Sequence, residues 1–341
     1  MTASNAQRLR AMPALIVGGV LGVLEWPMHL MQRLVGVPRI GWVFVTPNLI
    51  VLGLFTFLPI VIDFHYAFTG GAELAPRERP FTGLENLQTL FACDNYLDPS
   101  TCGKDLFWRA VYNTAWFALL QVTLMVLLSL VTALVLNRKI FGRGFFRGVF
   151  FYPVLLSPVV VALIWKWILQ REGLLNAVLQ SAGVTGPVWL DNASWAFFWS
   201  IFVSIWAHMG FYTLILLAGL QAIPADLYEA AEMDSATPWR RFSRITLPLL
   251  MPNLLVVLVL ALIRAVQIFD EVFVLTGGGP GSATLFIVQF IYQTAFAESI
   301  RLYGIAAAAS LVLAAALLVL TLAQLRISRQ GMRDRTERDD G

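Results

Sequence analysis

The chain has 341 residues, 58% of them hydrophobic and only 13% charged, with a formal net charge of +3. Soluble domains carry charge on roughly a quarter of their residues, so this composition argues against two soluble domains and for a membrane bundle. The small positive balance gives no electrostatic case for nucleic acid, and no nucleic-acid-binding motif is recognisable.

In chain order, the first apolar stretch is 11–24, with Arg8 and Arg10 ahead of it. It has the length of a signal-peptide core, but EWPMHLMQRL follows and offers no small-residue cleavage site. The stretch is predicted to be an additional N-terminal apolar helix, lying at the interface or forming a short span. Charge-free windows then run over 40–62, 110–137, 148–165, 192–225, 245–263 and 302–325. A crossing needs roughly 20 apolar residues, and in lipid a helix satisfies its own backbone groups. An all-α, polytopic fold follows, with six transmembrane helices near 42–68, 110–136, 146–169, 196–220, 249–275 and 303–326. A further window over 272–297 contains TGGGPGS at 276–282, which breaks a helix. It reads as the end of helix five, a turn and a partly apolar re-entry segment. The expected organisation is an N-terminal extension at 1–40, a transmembrane domain at 41–327 and a charged tail at 328–341. Within the domain lie an outer loop at 70–109 and a charged connection at 224–248.

Basic residues near span ends set orientation. Arg8, Arg10, Arg33 and Arg39 precede the first span, and Arg138, Lys139, Arg143 and Arg147 join the second to the third. Arg240, Arg241 and Arg244 join the fourth to the fifth, and Arg326, Arg329, Arg333, Arg335 and Arg338 end the chain. Sixteen of the 24 basic residues thus fall on one alternating set of segments, which places both termini in the cytoplasm. Cys93 and Cys102 fall in the outer loop, in CDNYLDPSTC. An oxidising compartment there favours a disulfide over two free thiols.

No P-loop sequence, no H-E-x-x-H and no Cys/His cluster occurs, and His29, His65 and His208 stand apart in the sequence. No metal, cofactor or catalytic set is expected, and energy for active transport has to come from a gradient or a partner.

The charged connection reads EAAEMDSATPWRRFSRITLPLLMP over 229–252. Pro224 suits a first helical turn, and Asp226 and Glu229 fall early, where acids favour the helix dipole. Thr237-Pro238 reads as an N-cap and first position of a second helix. That helix would place Trp239, Phe242, Ile245 and Leu249 on one face and Arg240, Arg241 and Arg244 on the other. The expectation is two short cytoplasmic helices, with Ala230, Ala231 and Ala236 small enough to let another protein approach.

This stretch resembles the EAA motif of permease subunits of binding-protein-dependent ABC importers, E-A-A-x-x-D-G-A, a spacer and I-x-L-P. It matches at Glu229, Ala230, Ala231, Asp234, Ala236, Ile245, Leu247 and Pro248. FDEVFVLTGGGPGSAT, 269–284, is similar to the helix-five end of carbohydrate-importer permeases of the maltose and glycerol-phosphate type. Asn113-Thr114 at the start of span two also fits. The resemblance covers about 42–327 and implies a type I importer permease arrangement in a bacterial inner membrane. It implies a sugar importer, with 224–248 as the coupling-helix region. The implied partners are a second permease that is a different chain, two copies of a cytoplasmic ATPase that binds ATP and Mg, an extracytoplasmic binding protein, and lipid. Glu229, Ala230, Ala231, Asp234, Ser235, Ala236 and Pro248 would couple to the ATPase, and ATP hydrolysis would not belong to this chain. Ser235 departs from the family's glycine. Glycine allows a positive φ cheaply, so serine puts that backbone angle in question or caps the next helix instead.

Polar residues inside spans are costly and face a cavity or a partner. Asn113, Gln121, Tyr152, Lys166, Tyr212, Arg264, Gln267, Asp270 and Glu271 are therefore candidates for the substrate path. The i, i+3, i+7 spacing of Arg264, Gln267 and Glu271 puts them on one face of helix five. Trp165, Trp167 and Trp206 offer aromatic platforms or an interface belt. A polyol, glycerol phosphate or another small polar solute are alternative substrates. A gradient-driven secondary transporter would require an inverted repeat, and none is evident.

Overall fold

The structure is a computed structural model, and it describes residue 36, residues 40–138, 140–297 and 301–339, with side chains to 326. The apolar stretch 11–24 lies outside the described residues. Among the described residues, five helices are long and apolar enough to cross a membrane, or six where the bent pair at Arg143–Leu155 and Pro158–Ser181 counts as one span.

Helix α1 is Ile40–Ala67, interrupted by one π turn at Gly53–Phe57. The segment that follows holds α2, Glu85–Phe91. Arg79, nearly buried, organises it. Its Nε donates to Thr69 Oγ1 at 3.0 Å, Nη1 to the Gly71 and Glu73 carbonyls, and Nη2 to the Thr69 carbonyl. The guanidinium also lies 4.8 Å from the centre of the Tyr66 ring. Burial lowers the Arg79 pKa from its ordinary value. Cys93 and Cys102 are joined by a disulfide.

Helix α3, Asp105–Asn137, is the second span. Next come α4, Arg143–Leu155, and α5, Pro158–Leu169. The expected straight helix at 146–169 is not present, because the bent pair turns by 101° at this point. Pro153 and Pro158 lack the backbone N–H groups that a continuous helix would need, and Leu156 and Ser157 adopt extended conformations between them. Helix α6 is Leu174–Ser181, and α7, Ala193–Gln221, is the fourth span. Asn192 starts α7 by accepting from the Ser194 and Trp195 N–H groups.

Helix α8 is Ala225–Met233, with Pro224 at its N-cap. Helix α9 runs without interruption from Pro238 to Val266. The second short helix expected after Thr237 is therefore the end of span five and not a separate element. A π turn at Phe242–Thr246 joins its two parts. The expected apolar face is corrected as well: Trp239 and Leu249 are exposed, while Thr246 and Leu250 are buried. The extra residue of the π turn shifts the buried stripe off the 3.6-residue spacing.

Span five also ends earlier than 275. Gln267 closes α9, Phe269 departs from helical geometry, and α10 is a separate helix at Asp270–Leu275. Arg264, Gln267 and Glu271 therefore do not share one helix face. After the glycine-rich turn, α11, Ile287–Ala297, is shorter than a membrane crossing. Helix α12, Tyr303–Asp339, carries the last span over Tyr303–Arg326.

The main core is formed by Phe117, Val122 and Met125 of α3, Ile205, Leu216 and Leu217 of α7, and Leu250, Val257 and Ala261 of α9. A second cluster joins Phe107 and Ala110 of α3 to Phe290 of α11 and Ala308 of α12. In the third, Val161 and Leu169 of α5 meet Val203 and Ala207 of α7 and Leu275 of α10.

Candidate functional site

Both interruptions of the spans meet α7 near its midpoint. At the first, Gly210 lies against the backbone of Phe150 and Phe151, the last turn of α4 before the bend. At the second, Glu271 opens α10 and turns back onto α9 and α7. Its Oε1 lies 3.5 Å from Arg264 Nη2 and 3.9 Å from His208 Nδ1. The His208 Nδ1 is also 2.9 Å from the Ser204 carbonyl oxygen. Glu271 is 3% exposed and Arg264 41%, so the carboxylate is sequestered while the guanidinium opens outward. Each charge holds the other inside a membrane span, where an isolated one is expensive.

Tyr212, one turn beyond His208, is buried, while Tyr152 stands exposed near the end of α4. Irregular backbone at membrane depth is tolerated only inside protein or along an aqueous cavity. The α9–α10 joint, where Glu271 meets Arg264 and His208 beside the middle of α7, is therefore the candidate polar zone. Gln267 and Asp270 are exposed at the α9–α10 joint.

Other candidates lie elsewhere. Asn113 Nδ2 donates to the Ser282 and Leu285 carbonyls, at 2.7 and 3.1 Å, and Thr114 Oγ1 accepts from the Ile287 N–H at 2.9 Å. These two residues clamp the glycine-rich turn and the start of α11. Lys166 Nζ donates to the Val274 carbonyl near the end of α10. Trp165 packs against Trp199 and Trp206, while Trp167 is exposed. Gln121 is buried on α3, with its Oε1 unpartnered. Gln289 of α11 is buried too, and neither of its polar side-chain atoms has a partner. Gly278, at φ +95°, lies so close to it that a Cβ would meet Gln289 Nε2 at 2.8 Å.

Sequence reasoning passed over His208, Ser204 and Gln289. Ser204, His208 and Tyr212 recur every four residues on α7, and that polar stripe was the available signal.

The hairpin of α8 and the start of α9 is built separately. Helix α8 ends in a Schellman turn, with the Ser235 N–H on the Glu232 carbonyl and the Ala236 N–H on the Ala231 carbonyl. Ser235 has φ +53° and is the non-glycine residue in the left-handed region among those described. It does not cap the next helix: Thr237 Oγ1 accepts from the Arg240 N–H at 3.3 Å. Across the hairpin, Tyr228 Oη and Thr246 Oγ1 are 3.0 Å apart, and Arg241 Nη1 lies 3.9 Å from Glu232 Oε2. Glu229, Ala230 and Asp234 are exposed, Ala236 is half-buried, and Ala231 is buried within the chain. Pro248 lies in the first turn of the α-helical part of α9.

A helical bundle with several helices long and apolar enough to cross a membrane is the architecture of a multi-pass membrane protein. The chain belongs to the family of binding-protein-dependent transport system inner membrane components, whose model matches residues 125–333. It is 36% identical to the trehalose/maltose transport system permease protein MalF of Thermococcus litoralis, over 85% of this chain and 94% of that one. It is 31% identical to the lactose transport system permease protein LacF of Rhizobium radiobacter, again over 85% and 94%. Among solved structures, it is similar to a chain of a bacterial ABC transporter involved in the import of the acidic polysaccharide alginate. There the TM-score is 0.72 at 25% identity, covering 89% of this chain and 98% of that one.

Proposed function

We propose that this chain is the transmembrane permease subunit of an ATP-driven sugar importer. The hairpin carries the reading. Its first arm, α8, exposes Glu229, Ala230 and Asp234, and its second arm is continuous with a membrane span. A partner seated on α8 can thus move α9 as a rigid rod. In this reading a cytoplasmic ATPase, present in two copies and carrying ATP and Mg, grips the hairpin. Closure of the ATPase pair rocks the spans and alternates access to the polar zone on α7. A second permease chain completes the path, and an extracytoplasmic binding protein delivers the sugar. Hydrolysis belongs to the ATPase, so this chain is not itself an enzyme.

The distribution of basic residues supports a multi-pass topology in the inner membrane with both termini cytoplasmic. A sugar is favoured because the relatives are named for trehalose/maltose and lactose transport. Tyr152, Tyr212, Arg264, Gln267, Asp270 and Glu271 are the residues proposed to line the path, with Asn113 and Gln121 supporting it from α3.

The test is uptake of labelled disaccharides into proteoliposomes holding the complete transporter. Uptake that requires ATP, and that Glu229→Lys abolishes while ATP hydrolysis continues, is the expected result. Wild-type uptake by Glu229→Lys, or uptake driven by an ion gradient without ATP, would overturn it.

A further inference from the structure

Two cationic side chains converge at the last residue of α7, with no acid paired to them among the described residues. With the Gln221 amide oriented so that its oxygen faces the guanidiniums, that oxygen accepts from Arg143 Nη2 at 2.9 Å and from Arg147 Nη2 at 2.8 Å. Arg143 opens α4, and Arg147 lies one turn further on, which stacks the two along one side of the helix. Neither makes an ion pair with an acid among the described residues. The Nε of each is buried and has no hydrogen-bond partner.

This arrangement is electrostatically incomplete. The carbonyl end of a helix supplies about half a negative charge, against two full positive charges here. Segment 138–151 holds no acidic residue to make up the difference. Exposed apolar side chains flank the pair on the same short helix: Phe146 lies one turn from Arg143 and beside Arg147, and Phe145 and Val149 are exposed on the far side. A protein carboxylate or a free phosphate in water would make no use of that apolar surface. An anion with hydrocarbon attached would use both features.

We infer that Arg143, Arg147 and Gln221 hold the phosphate of an anionic phospholipid headgroup, with an acyl chain running past Phe146. Guanidinium pairs suit phosphate because each presents paired donors to its oxygens. Basic recesses between membrane helices at the bilayer boundary are where such headgroups bind. The inference stands apart from the substrate and from the ATPase contact.

The experiment uses the complete transporter in nanodiscs of phosphatidylcholine, with or without phosphatidylglycerol. Phosphatidylglycerol should raise the unfolding temperature of the wild type by several degrees and remain on this chain in native mass spectrometry. Gln221→Glu supplies the missing anion covalently. It should reach the higher temperature in phosphatidylcholine alone and retain several-fold less phosphatidylglycerol. Arg143→Gln with Arg147→Gln should lose the phosphatidylglycerol effect, and Arg147→Lys, which keeps the charge, should preserve part of it. An unchanged lipid dependence in Gln221→Glu would overturn the inference. So would an equal shift from inorganic phosphate, or cross-linking from position 147 to an acidic segment of a partner subunit.

Discussion

Gly210 of α7 packs directly against Phe151 at the bend between α4 and α5. A Cβ at position 210 would stand 2.9 Å from the Phe151 Cα and closer still to the Phe150 carbonyl oxygen. Both obstacles are backbone, so no side chain can rotate away. Gly210→Ala is expected to cost about 1–3 kcal/mol of stability through overpacking and to reduce uptake. Thermal unfolding of the purified transporter checks the first, and Gly210→Val should be worse in both.

Glu271 and Arg264 hold the α9–α10 joint closed by ion pairing. Glu271→Gln leaves a guanidinium without its partner in a membrane span and should destabilise by about 1–3 kcal/mol. Arg264→Gln leaves a buried carboxylate and should cost at least as much. The double variant should be less damaged than the sum of the two, with a coupling energy of about 0.5–3 kcal/mol. Additive losses would show that the two side chains act independently.

Ser235 bears a left-handed conformation that a side chain disfavours. Ser235→Gly removes that strain and should stabilise the hairpin by up to about 1 kcal/mol. Because the Schellman hydrogen bonds are made by the backbone, uptake should stay at the wild-type level. Ser235→Val, branched at Cβ, should lower the unfolding temperature.

Ala230 and Ala231 are adjacent but face different surroundings. Ala231 is buried within the chain, whereas Ala230 is exposed. Tryptophan at 231 would therefore disturb the hairpin's own packing and report on folding. Ala230→Trp is the cleaner probe of docking: it should leave the unfolding temperature of the isolated chain unchanged while lowering ATPase retention on co-purification.

The Cys93–Cys102 bond closes a loop with a sequence separation of 9. Loop-closure entropy assigns a bond of this span about 2–3 kcal/mol. Cys93→Ser with Cys102→Ser should speed protease cleavage within 93–102, and the α3–α7–α9 core should keep its unfolding temperature.

Much of the fold was legible because lipid imposes a simple code: long charge-free windows are helices, and most of them are. Failures came where backbone chemistry overrode hydropathy. Pro153 and Pro158 broke a window that reads as one span, because a missing N–H leaves no mark on an apolarity count. The ending of α9 at Gln267 was equally invisible, since residues 267–275 remain compatible with a helix. In the hairpin, Thr237-Pro238 was readable as a start signal, because capping is local chemistry. Continuity of the second arm with span five was not, since proline at 248 argues for a boundary unless a π turn accommodates it. The polar zone was half visible. Arg264 and Glu271 stand out as charges in an apolar run, but His208 joins them only through packing between α7 and α10.

The π turn at Phe242–Thr246 lets α9 hold one residue for which regular winding has no place. An α-helix advances about 100° per residue, and the π turn completes one circuit with one residue more than the α-helical turn it replaces. Removing one residue from 242–246 would therefore restore regular winding and leave the hairpin's direction about the axis of α9 nearly unchanged. Adding one residue to the α-helical stretch that follows would instead swing the hairpin by roughly a quarter turn, and Glu229 and Asp234 would point in a new direction with every local interaction of α8 intact. In this chain, the compass bearing of the partner-facing surface tolerates an extra residue inside that turn and nowhere else along the rod.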